Sequence, residues 1–233
     1  MKNEKLPLGD IEFEVKNIII LGESNTHPFD VYGDGKDIGE EIRMAKKYLD
    51  LKRPRMKDNL RKRTLMFKFI RDYLYKNDFL EIDTPYLTKS TPEGARDFLV
   101  PSRLGAGLFY ALPQSPQQYK QMLMVSQVER YFQIVRCFRD EDPRGDRQPE
   151  FTQLDIETSF KSQEQILDLT EKMIKELVDN LYPEKHFTEF PIPRIDYKDA
   201  MTKYNSDKPD IRKNKNDPNE LGFAFIVNFP MFE

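Results

Sequence analysis

Cysteine and histidine are scarce in this chain, and long apolar runs are missing altogether. The single cysteine, Cys137, permits no disulfide within the chain. Its place in an alternating stretch beside aromatics predicts a buried, inert thiol rather than a nucleophile. The two histidines, His27 and His186, show no metal-ligand spacing and are assigned no role. No apolar run approaches the roughly 20 residues that span a bilayer, and the lysine-rich start MKNEK is not followed by the apolar core of a signal peptide. The expectation is a cytoplasmic protein with no membrane segment. A net charge of -3 also argues against nucleic-acid binding as a bulk property. A local basic run at 52–63, KRPRMKDNLRKR, stays open between a phosphate-binding patch and the solvated start of a helix.

What is present is a highly charged chain of 233 residues, 33% charged and 38% hydrophobic, long enough for one large domain or two small ones. Its organising stretch is 131–160, YFQIVRCFRDEDPRGDRQPEFTQLDIETSF. Both ends alternate in the manner of strands: Phe132, Ile134, Arg136 and Phe138 against Tyr131, Gln133, Val135 and Cys137, then Thr152, Leu154 and Ile156 against Phe151, Gln153, Asp155 and Glu157. Pro143, Gly145, Pro149 and a crowd of charges make the middle a solvated hairpin loop. Residues two apart share a face, so Arg139 and Glu141 form one line and Gln153, Asp155 and Glu157 another. If the two lines share a face, the sheet carries a polar floor, whose plainer reading is the solvent side of a half-exposed antiparallel sheet.

The order F-R-D-E-D followed by R-x-x-R-Q-P-E-F-T-Q-L-D-I-E closely resembles motif 2 of class II aminoacyl-tRNA synthetases, in the wording of the aspartyl-tRNA synthetases. The resemblance implies an α+β fold: a mostly antiparallel sheet flanked by helices, here incomplete at its C-terminus. Upstream, an amphipathic helix over about 56–76, with Leu60, Phe67, Ile70 and Leu74 joined by Met66, Phe69 and Tyr73, is stopped by Asn77 and Asp78. The strand pattern FLEIDTPYL at 79–87 follows. Helix, strand and Pro85 in this order resemble motif 1, which implies a homodimer with Pro85 at its interface.

Other segments are placed by pattern. EFEVKNIIILGES suggests one or two strands ending at Gly22, and the resemblance makes residues 1–30 the remnant of an N-terminal anticodon-binding OB-fold, 31–50 a hinge and 51–233 the catalytic domain. Within 31–47 a Gly- and Asp-containing linker leads to a short helix. Residues 88–97, TKSTPEGARD, form a loop with almost no buried anchors. Short strands are expected at 98–100 and 108–112. Ser115 can cap a helix whose first position is Pro116, with Tyr119, Met122 and Leu123 turned inward and Gln117 and Lys120 on one side. Ser162 and Gln165 fit a capping box for a helix reaching about Leu181, packed on the back of the sheet. A short helix is expected at Tyr197–Tyr204, a turn at 207–209 and a final strand in FAFIVNFPMF. The resemblance places a large insertion domain where only KNKNDPNELG stands, and a motif 3 beyond Glu233, so the expectation is a fragment of weak or no activity by itself.

The chemistry that the resemblance implies is ATP-dependent activation of L-aspartate to aspartyl-adenylate, then transfer to the 3'-end of tRNA-Asp, or of both tRNA-Asp and tRNA-Asn. The protein positions two anions and offsets charge developing on phosphoryl oxygens. Arg139 bridges carboxylate and phosphate. Glu93, Ser115, Gln117, Lys120, Arg139, Gln153 and Asp155 are the residues carried over for aspartate, Lys120 meeting its side-chain carboxylate. Arg139, Asp140, Glu141 and Gln148 are those for ATP, Asp140 and Glu141 orienting the nucleoside or a Mg²⁺. Arg144, Gly145 and Arg147 suit the tRNA acceptor end. Asparagine enzymes share the fold, but a lysine opposite a neutral amide would be left unpaired. The alternative from another class is a non-catalytic synthetase paralogue that binds nucleotide, amino acid or tRNA without turnover.

Overall fold

The structure is a computed structural model that describes residues 9–232, apart from Glu12, Pro92 and Asp146. The MKNEK start and Glu233 lie outside the described residues. In chain order the elements are α1 (Glu40–Ala45), α2 (Lys47–Asp50), α3 (Pro54–Lys76), β1 (Leu80–Glu81), β2 (Leu99–Pro101), β3 (Phe109–Ala111), α4 (Gln117–Val125), β4 (Arg130–Phe138), β5 (Glu150–Thr158), α5 (Gln163–Leu181), β6 (His186–Phe187), β7 (Arg194–Asp196), α6 (Tyr197–Tyr204), β8 (Glu220–Leu221) and β9 (Phe225–Val227). The mixture is α+β. Two compact units are distinguished, Met1–Asn59 and Leu60–Glu233.

The first unit is organised by a buried arginine. Arg53, 1% exposed, donates from Nε to Asp50 (2.8 Å) and from Nη1 to the Gly33 carbonyl (2.8 Å), and its guanidinium lies 5.3 Å from the Phe29 ring centre. At least this member of the basic run is therefore structural. The strands expected around residues 11–22 are not formed. No described residue there has a ladder partner, and Phe13, Val15 and Ile18 through Leu21 are 65–96% exposed. Alternation alone does not make a strand, because backbone donors and acceptors need a neighbouring chain.

The second unit is built on one long antiparallel pairing. β4 and β5 are matched over nine rungs, from Arg130↔Thr158 to Phe138↔Glu150, and β1 lies parallel to β4 on its other side. The alternation dictates the two faces. Phe132, Ile134, Leu154 and Ile156 turn to one side, where they meet Ile70, Tyr73 and Leu74 of α3 and Leu169, Met173 and Leu177 of α5. Leu60, though in the same helical stripe, stays 53% exposed and outside this core. Asn77 and Asp78 end α3 as expected: the Asn77 amide donates to the Tyr73 carbonyl (2.8 Å) and Asp78 takes a left-handed φ of 62°. Asp tolerates that region better than most residues.

β1 is shorter than the 79–87 pattern suggested. Past Ile82, whose N–H still reaches the Phe132 carbonyl (3.2 Å), side chains replace the ladder. The Thr84 hydroxyl bonds the buried Gln133 carboxamide (3.0 Å), and Glu81 is clasped by Arg71 (2.9 Å) and the Tyr75 hydroxyl (2.7 Å). Elsewhere β2 pairs antiparallel with β3, while β6–β8 and β7–β9 are short parallel pairs. The Ser162–Gln165 capping box forms at the start of α5, and Asp196 caps α6. The short connection before β8 is closed by Glu220. Its carboxylate accepts from the Lys213 and Asn214 N–H groups (2.9 and 2.7 Å) and from Thr188 (2.9 Å). Those two backbone N–H groups, opposed in part by burial, hold its carboxyl below the usual glutamate range.

Leu74 is fully buried at the centre of this core, so Leu74→Ala is expected to cost about 2–5 kcal/mol in urea unfolding. Ser162→Ala, which removes one half of the capping box, is expected to cost about 1 kcal/mol.

Candidate active site

The opposite face of β4 and β5 is the polar floor. The register sets Tyr131 against Glu157, Gln133 against Asp155, Val135 against Gln153 and Cys137 against Phe151, so the line from Gln153 to Glu157 lies on the face of Cys137. Beyond the last rung the Arg139 N–H donates to the Pro149 carbonyl (2.8 Å), which carries the same alternation one residue further. Between the strands, the described residues of 141–149 are exposed, as the prolines and charges there predicted.

Lys120 of α4 reaches this floor. Its Nζ lies 2.9 Å from Asp155 Oδ1 and 3.2 Å from Glu157 Oε2, and the three side chains are 12–27% exposed. Burial works against charge on Lys120, but the hydrogen bonds and charges of Asp155 and Glu157 outweigh it, and the ammonium is held above the ordinary lysine value. Asp155 keeps a second carboxylate oxygen, Oδ2, that is buried without a partner. So does Arg139 with its Nε, while its guanidinium lies 5.1 Å from the Phe151 ring centre. Two complementary unmet groups, an acceptor and a cationic donor, are thus presented from one sheet face. Such groups are costly unless a ligand or water meets them.

Glu93 comes to this face from the 88–97 loop. Its carboxylate accepts from Ser115 Oγ (2.8 Å) and Thr91 Oγ1 (2.9 Å). Ser115 is not the cap of α4, because the helix starts at Gln117 and the cap position falls on Pro116, which carries no side-chain bond. Gln117 stays exposed and does not join the Lys120 cluster. Gln153 is engaged by the Cys137 thiol (2.9 Å). Pro85 is exposed.

Arg139, Glu141, Arg147 and Gln148 line one cavity of about 440 Å³ together with Phe151. Asp140, Glu141, Arg144 and Arg147 line a neighbouring one of about 310 Å³ with Gly94, Ala95 and Arg96, and Gly145 in the same loop takes a φ of +59°. The Asp140 N–H bonds the Arg96 carbonyl (3.0 Å) in an isolated bridge, which ties the start of the β4–β5 loop to the 88–97 loop. For a magnesium ion, no group of three or more His, Cys, Asp or Glu side chains forms a cage among the described residues. A single carboxylate beside phosphates suffices for that ion, and Glu141, facing the Arg139 cavity, fits such a role.

Two site residues were missed by the sequence reading. Glu157 continues the Gln153–Asp155 line and was visible there, without a role. Gln114, 1% exposed, carried no local signal. The 88–97 loop is also better anchored than its composition suggested, through polar contacts described below.

Cys137 is fully buried in the floor, and burial pushes its thiol up to about 11 from an ordinary 9.0. An acid held neutral by the fold stabilises less once the unfolded thiol ionises. Its stability effect is complete below pH 9.0 and declines as pH rises toward about 11. Stability should fall by about 2–3 kcal/mol over that window, and Cys137→Ala should flatten this part of the pH profile in urea titrations. Iodoacetamide should label the native thiol far more slowly than the unfolded one.

Residues 39–233 match the family described as tRNA synthetases class II (D, K and N). The chain is 52% identical over 211 residues to an aspartate–tRNA(Asp/Asn) ligase of Rubrobacter xylanophilus, covering 91% of this chain and 35% of that protein. It is 55% identical to an aspartate–tRNA(Asp/Asn) ligase of a Geobacillus species and 52% to an aspartate–tRNA ligase of Bacillus licheniformis, again over 90% of this chain and 35% of each relative. The chain thus spans about a third of the length of these curated relatives. Among solved structures, asparaginyl-tRNA synthetase of Entamoeba histolytica, in complex with asparaginyl-adenylate, superimposes with a TM-score of 0.65 over 79% of this chain and 43% of that one, at 22% identity. At that identity the likeness is one of fold. Taken with the floor built by β4 and β5, these matches establish that the chain belongs to the class II tRNA synthetases of the D, K and N group.

Proposed function

We propose that this chain forms the amino-acid-activating part of an aspartate–tRNA ligase. The observation that carries the reading is the Lys120–Asp155–Glu157 cluster beside the unpartnered Arg139 Nε. Aspartate is an ammonium flanked by two carboxylates. Asp155 and Glu93 offer acceptors for the ammonium, with Gln153 and Ser115 alongside, and Lys120 offers a cation for the side-chain carboxylate. Arg139 takes the α-carboxylate and an α-phosphate oxygen of ATP together, which suits a planar and permanently charged fork. The carboxylate attacks the α-phosphorus in line, the bond to the β-phosphate oxygen breaks, and aspartyl-adenylate and pyrophosphate result.

In this reading the adenosine and phosphates occupy the cavity lined by Arg139, Glu141, Gln148 and Phe151. Asp140 contributes from the adjacent wall, and Glu141 holds Mg²⁺ with the phosphates. Gln117 joins the aspartate site only by turning inward from its exposed position. Arg144, Gly145 and Arg147, all exposed, receive the acceptor end of tRNA-Asp, or of both tRNA-Asp and tRNA-Asn. The names of the relatives, of both kinds, support either choice. In this reading the protein works in the cytoplasm, where the resemblance to the aspartyl-tRNA synthetases puts it. It pairs as a homodimer through the segment holding Pro85, where Leu80, Tyr86 and Leu87 are 40–56% exposed.

Lysine at position 120 sets the choice of amino acid. A neutral amide in place of the carboxylate would gain little from the partly buried ammonium, which would be left to Asp155 and Glu157 alone.

The test is pyrophosphate exchange into ATP, with L-aspartate and with L-asparagine, in a polypeptide carrying this chain at the length of its relatives. Exchange should require aspartate and fall at least 100-fold in Arg139→Ala, while Lys120→Met should raise KM for aspartate by 10-fold or more. Exchange that prefers asparagine, or that ignores Arg139→Ala, rejects the reading. Sedimentation velocity at rising concentration should reach the mass of two chains; a single-chain mass throughout rejects the dimer.

A further inference from the structure

None of the described residues in the segment 91–97 is buried, yet the segment carries Glu93 to the floor. One side chain makes three of the bonds that hold it. The Gln114 carboxamide accepts from the Ala95 N–H (3.1 Å) and donates to the Ala95 carbonyl (2.8 Å). It thereby imitates, for one residue, the double rung of an antiparallel pair. The same nitrogen donates to Asp97 Oδ1 (2.5 Å), whose other oxygen accepts from Ser90 (2.5 Å). Both donor hydrogens of Gln114 are therefore committed to the loop, from a side chain that is 1% exposed and has no freedom to seek others.

Ala95 sits between two attachments. On one side Glu93 meets Ser115, the residue next to Gln114; on the other, Arg96 pairs with Asp140 at the start of the β4–β5 loop. Fixing Ala95 therefore fixes where the Glu93 carboxylate stands relative to Lys120 and Asp155, and also where the wall of the neighbouring cavity stands.

We propose that Gln114 is a positioning residue: a buried latch that holds the 91–97 segment so that Glu93 faces the amino-acid pocket. The role rests on the aspartate-binding reading of Glu93, but the latch itself does not.

Gln114→Leu removes all three bonds at nearly constant size. Gln114→Glu keeps an acceptor for Ala95 and sets a carboxylate against the Ala95 carbonyl and Asp97. Adding Asp97→Asn to Gln114→Glu returns a donor to that contact. Two measurements apply to the chain as it stands. Hydrogen exchange is followed at the Asp140 amide, which bonds Arg96 and does not touch Gln114, and L-aspartate and ATP affinities are measured by calorimetry. Expected for Gln114→Leu and Gln114→Glu are at least 10-fold faster exchange at Asp140 and at least 10-fold weaker aspartate binding. ATP affinity should stay within about threefold, and Gln114→Glu/Asp97→Asn should recover both losses in part.

Unchanged exchange in a folded Gln114→Leu protein overturns the latch. Faster exchange with unaltered aspartate affinity overturns the positioning role. If the wild-type chain binds no aspartate, the affinity comparison is made in the polypeptide at the length of its relatives, where unaltered affinity in Gln114→Leu overturns the positioning role, and the exchange comparison still decides the latch. Should Gln114→Leu not fold, the Gln114→Glu and Gln114→Glu/Asp97→Asn pair carries the same comparison.

Discussion

A slip of β5 by one residue against β4 would turn Asp155 toward the helices and Leu154 toward the pocket. Everything else in the second unit depends on that slip not occurring. The nine matched rungs put Phe132, Ile134, Leu154 and Ile156 on the side closed by α3 and α5, and Tyr131, Gln133, Asp155 and Glu157 on the other. Since side chains alternate strictly, core and floor are two readings of one register. A shifted pairing would bury carboxylates among Leu74 and Met173 and expose leucine and isoleucine to the cavity, a double penalty that makes the register unambiguous.

The floor combines charges that would be mismatched singly. Lys120 loses hydration on approaching the sheet and keeps its proton because Asp155 and Glu157 face it. Arg139 is supported from below by Phe151 and keeps one buried N–H without an acceptor, as Asp155 keeps one buried oxygen without a donor. The charges of Arg139 and Lys120 favour ionisation of Cys137 beneath them, and those of Asp155 and Glu93 oppose it. Burial nonetheless dominates, and the thiol stays neutral.

The misread segments share one physical cause. Residues 11–22 alternate well and lack a partner strand among the described residues, so their apolar side chains remain exposed. The pattern at 79–87 leaves the ladder after Ile82, where Thr84 finds Gln133 instead of a backbone neighbour. Ser115 had the type of a helix cap, but α4 begins one residue later with Pro116 in the cap position, and the Ser115 hydroxyl donates to Glu93 of a distant loop. In each case the local preference was genuine and a contact remote in sequence, or the lack of one, decided the outcome.

What the sequence determined by itself was whatever depends on neighbours a few residues away. The stripe and stop of α3, the capping box of α5, the extent of α6, the two long strands and the line from Gln153 through Asp155 to Glu157 all follow from periods of 3.6 and 2 and from caps. The family could be read because motif 2 packs both strands and their loop into one stretch. Only the tertiary structure decided that Lys120 meets Asp155 across 35 positions, that Gln114 clamps Ala95 across 19 and that Arg96 bridges to Asp140 across 44. Those pairings are settled by the β4–β5 register and by where α4 rests on it. A side chain's choice among distant partners is made only after chain closure has brought them within a few ångströms of one another.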